Sequence, residues 1–235
     1  MNKEEFIKEL KKIGIILDNN QIEKLELFYN LLVEENKITN LTRITEKEDV
    51  YLKHFYDSLT LIKAINLNEN IKLCDIGTGA GFPGIVLKIA FPNIEIVLVD
   101  SLNKRINFLN KVIEKLNLNN IITIHERAEI YSKKNIETFD YVTSRAVARS
   151  EILIEIGMPL LKVGGHLILM KANCDDEIDA LKKITNKYNA KINTIIKFEL
   201  PNEKSARTII DLKKENKTSK QYPRSIDKIK KENLK

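Results

Sequence analysis

A chain of 235 residues with 43% apolar and 31% charged side chains can bury one good-sized core, with room for a small appendage. No apolar run approaches the roughly 18 residues that would span a bilayer, and the opening Met1-Asn2-Lys3-Glu4-Glu5-Phe6 lacks the apolar core of a signal peptide, so a soluble cytoplasmic protein is expected. The net charge of +6 lies wholly in residues 213–235, with 9 basic and 3 acidic side chains against 30 of each before them; this tail reads either as a handle for phosphate or as a solvated terminus.

In chain order, Phe6, Ile7, Leu10 and Ile13 fall on one face of a helix over residues 3–13. Ile22, Leu25, Phe28 and Leu32 do the same for a second helix over 19–35. Thr45 and Glu48 have the spacing of a capping box for a third, through Ala64. Residues 1–68 are therefore expected to form a helical layer packed on a core domain of residues 69–212, with 213–235 as the basic tail. Beyond Asn70 the period changes. Apolar runs at 71–76, 94–99, 121–125, 139–143 and 165–170 alternate with helical stretches at 83–91, 102–117, 150–161 and 175–189, the mark of a parallel sheet covered on both faces. Two last strands, 191–199 and 206–212, are joined by Leu200-Pro201-Asn202-Glu203-Lys204 with no helix between them. An α/β, Rossmann-like sheet closed by an antiparallel hairpin is the architecture of class I methyltransferases, which use S-adenosylmethionine (SAM).

The chemistry gathers at strand ends. Leu73-Cys74-Asp75-Ile76-Gly77-Thr78-Gly79-Ala80-Gly81-Phe82-Pro83-Gly84 runs from a strand through a glycine-rich turn into a helix. Such a turn lets a ligand lie against the backbone, facing free N–H groups. Asp75 either stiffens that turn or sits near a cationic ligand such as SAM. Asp100, 25 residues on, ends the second strand where an acid chelates ribose hydroxyls in nucleotide-binding α/β folds; alone it reads as a helix cap. Ala128 and Glu129, after the third strand, are where an adenine edge would lie. Arg145 leaves the fourth strand toward the crevice, to hold phosphate, a base edge or the cofactor carboxylate, or to form a structural ion pair. Lys104 and Arg105 read as a solvated face. Gly79 to Gly84 also satisfies the dinucleotide-binding pattern, but the acid before the glycines and the closing hairpin argue against a nicotinamide dehydrogenase. Cys74 and Cys174, and three scattered histidines, suggest buried thiols and no metal site.

The run Asp75–Gly84, with Leu98-Val99-Asp100-Ser101-Leu102-Asn103-Lys104-Arg105, Ser144-Arg145-Ala146, Asn40-Leu41-Thr42 and His54-Phe55-Tyr56-Asp57-Ser58-Leu59, resembles the bacterial RsmG (GidB) family. The similarity runs in order over residues 25–212. It implies a SAM-dependent methyltransferase acting on guanine N7 in the 530 loop of 16S ribosomal RNA, at guanine 527. By the same resemblance Gly77, Phe82, Ala128, Glu129 and Arg145 fall on cofactor-contacting positions, with Asp100 and Ser101 beside the ribose. Asp75 and Gly79 join this expected cofactor set as parts of the turn. His54 and Asp57 match a signature whose role the sequence leaves open, the simplest reading being a buried pair that orients the third helix. One departure is visible: the family commonly follows Tyr-Pro-Arg with glycine and a Pro-Lys turn, whereas Tyr222-Pro223-Arg224 here precedes Ser225-Ile226-Asp227-Lys228.

Guanine N7 carries a lone pair and no proton, so direct in-line attack on the SAM methyl needs no general base, and no catalytic residue is assigned beyond positioning by Arg145. The expected partner is 16S rRNA within the small ribosomal subunit, met by a monomer. Arg145, Arg149, Arg207 and the tail are candidates for phosphate contacts. Two other readings stay open: a non-catalytic RNA-binding or ribosome-assembly protein, and a methyltransferase with a non-RNA substrate.

Overall fold

In a computed structural model, which describes residues 1–67 and 69–233, seven strands form one sheet in the order β3-β2-β1-β4-β5-β7-β6. The expected boundary at residue 68 lies outside the described residues. Strands β1 (Lys72–Ile76), β2 (Glu95–Asp100), β3 (Ile121–His125), β4 (Phe139–Arg145) and β5 (Leu161–Lys171) are parallel. The hairpin of β6 (Ala190–Glu199) and β7 (Ala206–Lys214) closes the sheet, with β7 antiparallel to β5. Register pairs Asp75 with Leu98 and Asp100 with His125, so Ile76, Asp100, His125 and Arg145 all end on one edge. Ligands collect at that carboxyl edge in open α/β sheets.

Along the strands, successive apolar residues serve opposite faces. Leu73, Ile96 and Leu98 join the core under α5 (Gly84–Ala90) and α6 (Asn103–Lys115). Cys74, Val97 and Val99 join the core under α7 (Ala128–Lys134), α8 (Ser150–Leu160) and α9 (Asp175–Ile184). The first core continues into the N-terminal helices without a break. Phe28 of α2 (Asn19–Thr39) lies 5.7 Å from Phe55, 5.4 Å from Phe82 and 6.4 Å from Phe108, ring centre to ring centre. Phe6 of α1 (Lys3–Lys12) meets Tyr51 edge-on at 5.2 Å.

Three expectations are corrected. The capping box at Thr45 does not form: the third helical segment starts from Glu46 without a side-chain cap, and the Met1 ammonium donates to the Glu48 carbonyl at 3.1 Å. The Glu48 carboxylate, which a capping box would turn back to the helix start, lies instead 4.0 Å from the Met1 ammonium. That segment also changes pitch, from α3 (Lys47–Asp49) through a π-helix (Val50–Tyr56) and α4 (Asp57–Leu59) to a 3-10 turn (Thr60–Lys63). As far as residue 233 the tail is packed on the core: β7 runs on to Lys214, whose side chain is buried, and α10 (Ile226–Asn233) packs on α8. Among the described residues no helix is long and apolar enough to cross a membrane, and no metal-ligating cluster occurs.

Candidate active site

At the carboxyl edge lies a cavity of about 670 Å³, within the range of small-molecule and cofactor pockets. Its floor is the glycine turn. Gly77 and Thr78 donate to the Val99 carbonyl at 2.8 and 3.1 Å, and Gly77 has φ of +68°, a conformation open to glycine at little cost. A Cβ at Gly84 would stand 2.2 Å from a Leu98 methyl, so the helix can approach the strand this closely only at a glycine.

Asp75 holds that turn together from behind. Its Oδ2 accepts from Thr78 Oγ1 at 2.7 Å and from the Gly84 N–H at 2.9 Å. Burial pushes its carboxyl up to about 6, and Oδ1 is buried without a partner. The side chain does not reach the cavity wall. Of its two expected roles, the geometry gives Asp75 the one of stiffening the turn. Asp100 faces the cavity: Oδ1 accepts from the Leu102 N–H at 2.9 Å, and Oδ2 from the Gly79 N–H at 3.0 Å and Arg105 at 3.1 Å. Arg105, read from sequence as solvated, is thus part of the wall.

Gly77, Gly79, Phe82, Ser101, Ala128, Glu129 and Arg145 all line this cavity. The helical layer adds Leu41, Thr42 and His54, which no local pattern in the sequence marks as wall residues. His54 stacks on Phe82 at 4.3 Å and 17°, and the Arg145 guanidinium sits 5.1 Å above the same ring. Arg145 donates to His54 Nδ1 at 3.1 Å, to the Lys53 carbonyl at 3.0 Å and to Asp57 Oδ2 at 3.2 Å. Asp57 Oδ1 accepts from Arg207 at 3.1 Å. Asp57 therefore joins two arginines that lie far apart in sequence. Arg149 stands apart, bound to Glu151 and Asp176 at 2.9 Å each, so all three arginines already have carboxylate partners.

Since arginine only donates, His54 Nδ1 must be the acceptor, and Nε2–H points to Thr42 Oγ1 at 3.0 Å. Burial, reinforced by Arg145, depresses the His54 pKa to about 3. The ring is expected to stay neutral, in the Nε2–H tautomer, from about pH 8 to about pH 5. The stability tied to this depression is complete above the ordinary value of 6.5 and is lost as pH falls toward 3. Nitrogen-15 shifts of the imidazole check this, and a titration midpoint near 6.5 would overturn it.

A turn of bare backbone beside an acid, an apolar wall and a largely buried arginine suits a nucleoside-bearing amino acid. The fold agrees. A solved SAM-dependent methyltransferase from Aquifex aeolicus superposes with a TM-score of 0.54 at 17% identity, covering 76% of this chain and 97% of that one. A solved TrmN from Thermus thermophilus gives 0.54 at 15% identity, over 67% and 48% of the two chains. The fold is that of the class I SAM-dependent methyltransferases. The family profile of rRNA small subunit methyltransferase G (GidB) matches residues 21–207. Proteins named ribosomal RNA small subunit methyltransferase G from Bacillus licheniformis and Bacillus cytotoxicus are each 46% identical over 227 residues, covering 95% of both chains. The chain belongs to the rRNA small subunit methyltransferase G family.

Proposed function

We propose that this enzyme methylates N7 of a guanine in the 530 loop of 16S rRNA, within the small ribosomal subunit. The observation that carries the reading is a second cavity of about 320 Å³ that shares His54, Arg145 and Ala146 with the first. Lys53, Asp57, Met170, Phe198 and Arg207 are among its other lining residues, a mixture of cations, one acid and apolar surface that suits a nucleobase and its phosphate. Cofactor and acceptor would meet where the two cavities join.

Bound SAM supplies an electrophilic methyl group on a sulfonium. The protein's part is to hold and to exclude water. Gly77, Gly79 and Phe82 cradle the amino-acid end, Asp100 and Ser101 the ribose, and Ala128 and Glu129 the adenine edge. Asp75 acts through the turn. In-line attack by N7 needs no base, and the neutral His54, with both nitrogens engaged, fits a wall and not a proton carrier. Alignment in a dry pocket can supply about 7–11 kcal/mol. N7 is hidden in the narrow major groove of A-form RNA, so the guanine must be unpaired or splayed to enter. In this reading residues 1–68 wall the acceptor side, residues 69–212 hold the cofactor, and the enzyme works as a cytoplasmic monomer.

Methyl transfer from radiolabelled SAM to small subunits, beside free 16S rRNA, tests this. Label on a single guanine at N7 is the expected outcome. Label elsewhere, or in no RNA, would overturn the substrate while leaving the cofactor assignment in place.

A further inference from the structure

The basic tail has a place in the fold that its charge does not suggest. Glu155 of α8 is fully buried and accepts four hydrogen bonds: from Arg224 N–H at 2.8 Å, Nε at 2.9 Å and a terminal nitrogen at 2.7 Å, and from Tyr188 hydroxyl at 2.8 Å. Tyr222 packs on Tyr188 at 5.0 Å, and Glu232 pairs with both Arg224 and Lys187. Ile229 is fully buried. These contacts hold α10 against α8, and α10 then presents Ile226 and Lys230 to the main cavity. Four residues apart, the two share one helix face. Beside them on the wall stand Ile152, Leu153 and Ile156 of α8, whose neighbour α7 opens with Ala128 and Glu129.

We propose that the C-terminal arm is part of the SAM site. Ile226 and Lys230 close the α7–α8 side of the cavity, and Arg224, through its bonds to Glu155, is the positioning residue that keeps them there. Charge alone would make the arm an RNA handle, but the apolar half of its helix is spent on the cofactor wall and on α8. A cofactor ring lying against Ile226 is shielded from water on a side where the sheet offers no cover. The inference rests on the cofactor reading of the cavity and is independent of which base is methylated.

The test uses the full chain, with SAM affinity by calorimetry and steady-state methyl transfer. Ile226 is only half-buried, so Ile226→Asp is expected to fold normally while weakening SAM binding by about tenfold, the scale of losing one buried aliphatic contact. Arg224→Gln is expected to raise the KM for SAM by a similar factor with kcat at saturating SAM retained, and Arg224→Lys to recover part of the loss. Lys228→Ala, on an exposed position of the same helix, serves as a control and leaves SAM affinity unchanged. If Arg224→Gln does not fold, Ile226→Asp decides alone. SAM affinity within about twofold of wild type in Ile226→Asp overturns the proposal, and so does a raised KM for RNA with SAM binding intact. A wild-type protein that bound no SAM would instead sink the cofactor reading itself.

Discussion

Gly77→Asp is expected to weaken SAM binding by at least about 100-fold and to remove methyl transfer, with the fold intact. Two costs combine at this position. The backbone there has φ of +68°, which costs a residue with a Cβ about 1–2 kcal/mol. The new Cβ would also stand 2.5 Å from a Val147 methyl, so the residues after β4 must shift or the carboxylate must enter the cavity. Either outcome spoils the floor on which the cofactor lies. Each 1.4 kcal/mol is about tenfold in affinity, so these costs with the lost contacts reach the stated size. Calorimetry with SAM, beside circular dichroism for the fold, gives the answer. Binding within about tenfold of wild type would mean that the turn is not the cradle.

The parallel sheet was legible because its strands are short apolar runs, and the floor of the site because backbone freedom has to be written as glycine. Asp100 was legible as an acid ending β2 at the cavity, and its bond from the Leu102 N–H also gives it the capping role it has when read alone. Asp75 reads from the sequence either as a stiffener of the turn or as a neighbour of a cationic ligand, and packing turns its carboxylate to Thr78 and Gly84 and not to the cavity. The wall from the helical layer was not legible at all. His54 is held there by a contact across 91 residues with Arg145, and Thr42 by its bond to His54, which no local period encodes. Arg105 looked like surface because a helix start rich in cations usually is. Helix α7 has only seven residues and little apolar periodicity to mark it in the sequence. The tail misled most, because charge counts record what faces solvent, while Tyr222 and Ile229 decide where the chain goes.

Phe28→Ala is expected to lower the free energy of unfolding by about 3–5 kcal/mol, the usual cost of emptying a buried aromatic site. Domains of ordinary stability have about 5–15 kcal/mol to lose, so this removes a large share. The reason is where the ring sits. Phe28 of α2 is fully buried, and around it meet Phe55 of the π-helix, Phe82 of the glycine turn and Phe108 of α6. A void there undercuts Phe82, the ring on which His54 stacks and over which Arg145 lies. Methyl transfer should therefore fall along with stability, and Phe28→Leu should lose less of both. Urea titration followed by circular dichroism and by SAM affinity should show one cooperative transition, because the helical layer and the sheet share that core. Two transitions, with the helices melting first and SAM affinity kept, would make the layer an appendage. One transition makes it a structural part of the methyl-transfer site, since the same ring that fixes α2 also supports the wall between the two cavities.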